Sequence, residues 1–509
     1  MKHLLCCLAA AASVFADAPQ MAAARIDAAL IRDHYEALQE LRKHSIAPPP
    51  APALPVADDA VFLRRACIDI AGRLPAADEV RQFLADPAPD KRARLTDALV
   101  REPGAEQLRF RILSEAFRVK EDDAFAAWLL QAAKDDRPFD QIIASLIGEG
   151  RLGQRDGENA IHTANEVAAA VLGEDLQCAV CHDHPYNDHQ QKQCYEFAAC
   201  FLAPGSPSLQ LPGYYHQRSG KPRDLVKPRL LRLNSRENPP EIKHNADARV
   251  QTARWIVTES THRFASVAAL RVWSGLFGMP GIEKDKTLGG VDPAPSWNEV
   301  NGSMSYTYRA CGGAPHANPV FWVGLFSSPA PAPSIYTALG EEFRRCGCRI
   351  GEFQRVLART TAYNRAAIAP DRRWIVGNLV PAPVVRRLPA EVIWDALSAE
   401  KSSQLPPVPP PEHPLRMLGR GTREWSDEST TPVSHELVRF MMNSAFMENA
   451  AASRPADSSA EDLFLAILGR YPNGLEKALA KQQQNESPQT AVQDITWALL
   501  NTAEFMFRP

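Results

Sequence analysis

Apolar residues along the first half of the chain recur at three- and four-residue intervals, the period of an amphipathic helix. From Met21 to His44, Ile26, Leu30, Ile31, Leu38 and Leu41 fall among charged positions, and the Pro-rich stretch Ala47–Pro55 ends the pattern. Asp58 to Val100 reads as three short helices with tight connections, Pro75 suiting a first turn and Asp90 a cap. Further helical patterns cover Gly104–Val119, Asp122–Ala133, Phe139–Leu146 with Asp140 as cap, Thr163–Leu176 and Gln190–Phe201. No sustained period-two alternation precedes Cys178. The expected fold class is therefore mainly α.

Between Ala203 and Ala246 the composition shifts to Pro, Arg, Lys, Gly and Asn, which predicts an irregular connector. Helical spacing resumes over 248–278 and 334–367, on either side of a Gly/Pro-rich stretch, and a second Pro cluster spans Leu405–Pro414. Glu436–Ala451, Ala460–Leu468 and Ala491–Phe505 close the chain as helices. At 509 residues a single core is not expected, since cores stop growing near ~250–300 residues. The expected layout is residues 1–16 as a leader, 17–205 as an N-terminal helical domain, 206–245 as a Pro-rich irregular connector and 246–509 as a C-terminal helical domain. No repeat at a fixed period appears, so a solenoid is not expected.

The leader rests on a short basic start, the apolar run Leu4 to Phe15 and small residues near Ala16, the pattern of a cleaved secretory signal. The chain is thus expected to be exported, to the periplasm or beyond, with no membrane span in its mature part. A net charge of −3 gives no basic field, so nucleic acid is not an expected partner. Of the ten cysteines, Cys6 and Cys7 fall in the leader, and disulfides among the other eight are permitted outside the cytoplasm.

The chemistry concentrates in Cys178-Ala179-Val180-Cys181-His182. Two cysteines three apart can each form a thioether to a haem vinyl, and the following histidine can ligate iron. On this reading Cys178 and Cys181 anchor haem c, His182 is the proximal ligand, and Met279, Met304 or His216 are candidates for the opposite side. A redox partner protein would follow. A second reading is a non-haem site for zinc (Zn) or iron (Fe) built from Cys178, Cys181, His184 and His189, structural if closed and catalytic if one position is open to water. The third is a cofactor-free cysteine pair, as a disulfide or buried thiols. The pairs Arg64-Arg65, Arg344-Arg345 and Arg386-Arg387 read as solvated helix faces or ion-pair partners, Asp69 and Arg73 as capping residues or equally as catalytic ones, and Trp255, Trp273, Trp394 and Trp497 as core. No nucleophile elbow, phosphate loop or dinucleotide fingerprint occurs.

The strings FLRRACIDIAGRLPAADEVRQFL, WLLQAAKDDRPFDQIIASLI, LQCAVCHDHPYND, RRLPAEVIWDALS and QDITWALLNTAEFMF resemble, in order, signatures of the secreted cytochrome-c-like proteins of planctomycetes, which pair N- and C-terminal domains of unknown function. The resemblance implies an N-terminal cytochrome-like domain and a C-terminal helical domain, and carries over Cys178, Cys181, His182, Asp183, His184 and Pro185. Three features depart from it: Asn187 in place of an aspartate, His189 in place of a tryptophan, and Cys194 and Cys200 in the following helix. The alternative functions are a non-haem, cysteine-stabilised binding or scaffold role linked to extracellular polymer breakdown, and a metal-dependent enzyme using the Cys/His cluster.

Overall fold

Helices begin where the chain supplies an oxygen for their first orphan N–H groups and end where a glycine can turn left-handed. In the computed structural model, which describes residues 18–32, 55–117, 119, 124–152, 159–174, 176–183, 189–203, 208–211, 225–232, 242, 247–258, 262–278, 296–298, 303–305, 335–368, 382–402, 405, 410, 412–419 and 435–508, almost every element is a helix. The Asp58 carboxylate accepts from the Val61 N–H at 2.7 Å and starts the helix Asp59–Ala66, which runs on into a π-turn at Cys67–Ala71. Ala77–Ala85, Lys91–Leu99, Ala105–Ala116, Ala124–Lys134 and Phe139–Ile143 follow. The mainly α expectation holds. Among the described residues the strands are two short antiparallel pairs, Ser296–Asn298 with Ser303–Ser305 and Arg386–Arg387 with Phe507–Arg508.

Hydrophobic packing forms two main clusters. The first joins Ala22–Leu30, helices from Phe62 through Phe201, and the helices Ala248–Thr258, His262–Phe277, Ile335–Arg345 and Ile350–Leu357. Its axis is His262–Phe277, where Trp273 is fully buried and stacks on Phe277 at 3.7 Å between ring centroids. This helix meets Ile335–Arg345 closely enough that a Cβ on Gly340 would lie 2.8 Å from the Ser266 backbone nitrogen. The second cluster gathers Leu388 to Phe505, with Ile68 reaching in from the first. Hydrophobic contact thus continues on both sides of 206–245, although few residues of that stretch are described.

The seam between the clusters is polar, and here the expectation for the arginine pairs is corrected. Arg64 and Arg65 are 2% and 1% exposed. Arg64 donates to the carbonyls of Ile467 at 2.6 Å and Phe505 at 3.1 Å, and Arg65 to those of Tyr363 at 2.7 Å and Arg365 at 2.8 Å. Asp69 caps no helix. It is buried, accepts the Tyr363 hydroxyl at 3.0 Å and pairs with Arg508. Arg386 lies 4.0 Å from the same carboxylate and donates to the carbonyls of Ser274 at 2.8 Å and Leu276 at 2.7 Å, closing the end of the central helix. Guanidinium forks find carbonyls that a helix end leaves unpaired, which is why these cations lie inside. Arg345 does behave as expected, an exposed cation that pairs with the exposed Glu341 and the buried Glu342. Trp255, Trp273 and Trp394 are core, and Trp497 is half-buried.

Candidate functional site

The Cys-x-x-Cys-His segment is built by two interruptions of helix. Ala160–Val167, capped by the Asn159 side chain, runs into a π-turn at Ala168–Leu172 and stops at Gly173, whose φ of +67° a residue with a Cβ would resist. The chain then enters a short 3-10 turn, Cys178–Val180, before the helix Gln191–Ala198. Cys178 opens this turn and Cys181 follows it, three residues apart. Ala179 faces the core, Cys178 is half-buried and Cys181 exposed. The His182 ring nitrogen Nδ1 lies 2.7 Å from the Asp183 carbonyl. A carbonyl only accepts, so Nδ1 carries the hydrogen and donates, which leaves Nε2 of the neutral ring with its lone pair.

Gln191 braces the turn. Its side-chain amide donates to the carbonyls of Val180 at 3.2 Å and Cys181 at 2.9 Å, while its backbone N–H donates to Asp183 Oδ1 at 2.9 Å. Behind the turn, Tyr195 is held above its ordinary phenol pKa by burial and by the neighbouring Cys194 and Cys181. The Cys194 and Cys200 thiols are pushed up to about 12 by burial. They are inert packing groups. No disulfide joins two cysteines among the described residues, and Cys346 and Cys348 stay unbridged on their turn, where the Cys348 carbonyl accepts the Phe139 N–H at 2.8 Å.

The structure joins His189 to a carboxylate. Its Nε2–H donates to Glu174 Oε2 at 2.8 Å, and Glu174 also pairs with Arg263, with all three residues 7% exposed or less. Sequence reasoning singled out His189 but missed Glu174 and Arg263; the one local signal was a carboxylate directly after a helix-ending glycine in an apolar run. His184 and His216 lie outside the described residues, as do Met279, Cys311 and the expected leader, residues 1–16. Met304 falls on the strand Ser303–Ser305. Among the described residues, no three His, Cys, Asp or Glu side chains gather as a metal site. A cleft of about 430 Å³, lined by Arg101, Glu102, Glu106, Arg109, Lys134 and Asp136 among others, shares no residue with the motif.

The donor types of the motif fit a covalently attached haem: two thiols spaced i, i+3 about a turn, and an imidazole with one nitrogen committed to a carbonyl and the other left for iron. Fold and motif together define a mainly helical protein with a surface Cys-x-x-Cys-His turn. Within it, residues 37–163 and 151–204 match the family described as PSCyt2, protein of unknown function (DUF1549), a span of less than half the chain. No curated protein and no solved structure matches. Among the described residues no helix is long and apolar enough to cross a membrane.

Proposed function

We propose that this chain is an exported cytochrome-c-like protein that carries one haem c in electron transfer or haem redox chemistry. Cys178 and Cys181 would hold the group by thioether bonds and His182 would ligate it through Nε2. The observation that carries the reading is the His182 Nδ1–H bond to the Asp183 carbonyl beside two sulfurs spaced i, i+3, because it leaves the Nε2 lone pair for a metal. When attached, haem supplies a one-electron centre. The chain's own residues then do the orienting. Gln191 fixes the carbonyls of the turn, Asp183 holds the imidazole plane, and the half-exposed position of Cys178 and His182 leaves an edge for a redox partner protein. Under the same reading, 206–245 is the connector and 246–509 the family's C-terminal helical domain.

Co-expression with a haem-attachment system, followed by intact mass and a reduced absorption spectrum, tests the assignment. The expected result is one haem mass on the mature chain, lost in Cys178→Ala/Cys181→Ala. Haem-free protein under conditions that mature a control cytochrome would sink it. Zinc or iron in that haem-free protein would move the assignment to the cluster with His184.

A further inference from the structure

We propose that Glu174, His189 and Arg263 form a latch that fixes the motif loop, and that Arg263 is the positioning residue for His182; its consequence for the iron ligand rests on the haem reading. Glu174 lies four residues before Cys178 and His189 seven after His182, so this contact closes both feet of the loop at once. Both carboxylate oxygens are used: Oε2 takes the imidazole at 2.8 Å and Oε1 pairs with Arg263, from the first turn of His262–Phe277. The feet are buried while Cys181 and Asp183 at the tip are exposed, so the tip's position is set from below. Gln191 holds only the exit side of the turn. On the entry side the buried Leu176 carbonyl faces the Cys194 thiol at 4.0 Å, and Glu174 ties the stretch to His189. A carboxylate at this depth stays ionised and in place only beside a cation, which here comes from a helix outside the stretch that matches the family.

The test compares full-length Arg263→Gln, Arg263→Lys and wild type by two readouts. Hydrogen exchange on haem-free protein reads the latch itself. The expected result for Arg263→Gln is at least tenfold faster exchange over 176–183, unchanged exchange over 335–345, and recovery in Arg263→Lys. No change over 176–183, or equal acceleration in both segments, overturns the latch. Should Arg263→Gln fail to fold, His189→Ala keeps the Glu174–Arg263 pair, cuts only the loop closure and is held to the same comparison. In haem-loaded protein the midpoint potential of Arg263→Gln shifts and returns in Arg263→Lys; an unmoved potential overturns the positioning role. Wild-type protein that takes up no haem overturns the haem reading alone, since exchange still decides the latch.

Discussion

Asp69 is a buried carboxylate in the polar seam between the two hydrophobic clusters, and replacing it with asparagine removes a charge while keeping the shape. Around it lie the Tyr363 hydroxyl at 3.0 Å, the Arg508 guanidinium in contact, and Arg386 at 4.0 Å. Burial pushes both guanidiniums below the ordinary arginine range, with the Asp69 charge opposing that shift. One charge pair at 4 Å is worth about 4 kcal/mol at an effective dielectric of 20, and removing one partner of a buried pair costs about 3–5 kcal/mol. Relief of the carboxylate's own desolvation is already contained in that net figure. Asp69→Asn is therefore expected to lose about 3–5 kcal/mol. Tyr363→Phe, which deletes a single hydrogen bond to a charged group, should lose about 1.5–3 kcal/mol, and the double variant less than the sum. Two clusters need not unfold together, so the assay is urea titration by pulse proteolysis with tryptophan fluorescence alongside. An Asp69→Asn variant within about 1 kcal/mol of wild type would refute the view that Asp69 neutralises the seam.

Two shorter predictions concern titration and thiol reactivity. Burial of Glu79 acts to raise its pKa, but the Arg73 hydrogen bonds and charge, with hydrogen bonds from the Ala76 N–H and the Cys67 thiol, together outweigh this and hold it below the ordinary carboxylate range. Its stabilisation is then full above the unfolded value of about 4.3 and fades as pH falls through the lower folded value; Glu79→Gln should flatten that part of an acid-unfolding curve, and an unchanged slope counts against the Arg73 pairing. In haem-free native protein, Cys181 should react with a maleimide at least a hundredfold faster than Cys67, Cys194 or Cys200, which are fully buried, as read by peptide mass spectrometry over time. Comparable rates would contradict the surface placement of the motif.

Local signals carried much of the fold into the sequence. Ala460–Leu468 is apolar and opens with the Ser459/Asp462 capping box, so both its type and its ends were legible. The reading of Glu436–Ala451 as one helix is corrected by a break at Ser444, whose hydroxyl accepts from Met447 N–H and starts a new helix. The helix Gly474–Glu486 went unread because it buries little beyond Ala480 and leaves Leu475 and Leu479 exposed, blurring the apolar stripe; the Asn473/Glu476 capping box was its available signal. Asp140 read as a cap, but Pro138 occupies that position, and the Asp90 side chain makes no cap bond. The motif itself was plain from cysteine spacing. What supports it was not, since Arg263 stands far along the chain from Glu174, and the burial of Arg64, Arg65 and Asp69 is set by carbonyls and side chains from Tyr363 to Arg508.

That last separation bears on how the chain is made. Asp69 and Arg508 are 439 residues apart, and Arg64 is 403 residues from Ile467. At a synthesis rate of about 5–20 residues per second, the partners of the helix Asp59–Ala66 follow it by roughly 20–90 s. Throughout that interval Arg64 lacks the Ile467 carbonyl and Asp69 lacks Arg508, while the apolar face of the same helix already packs locally, Phe62 against Phe83. The seam thus depends on late synthesis: a nascent chain that stalls before Phe505 and Arg508 leaves Arg64 without the Phe505 carbonyl and Asp69 without Arg508.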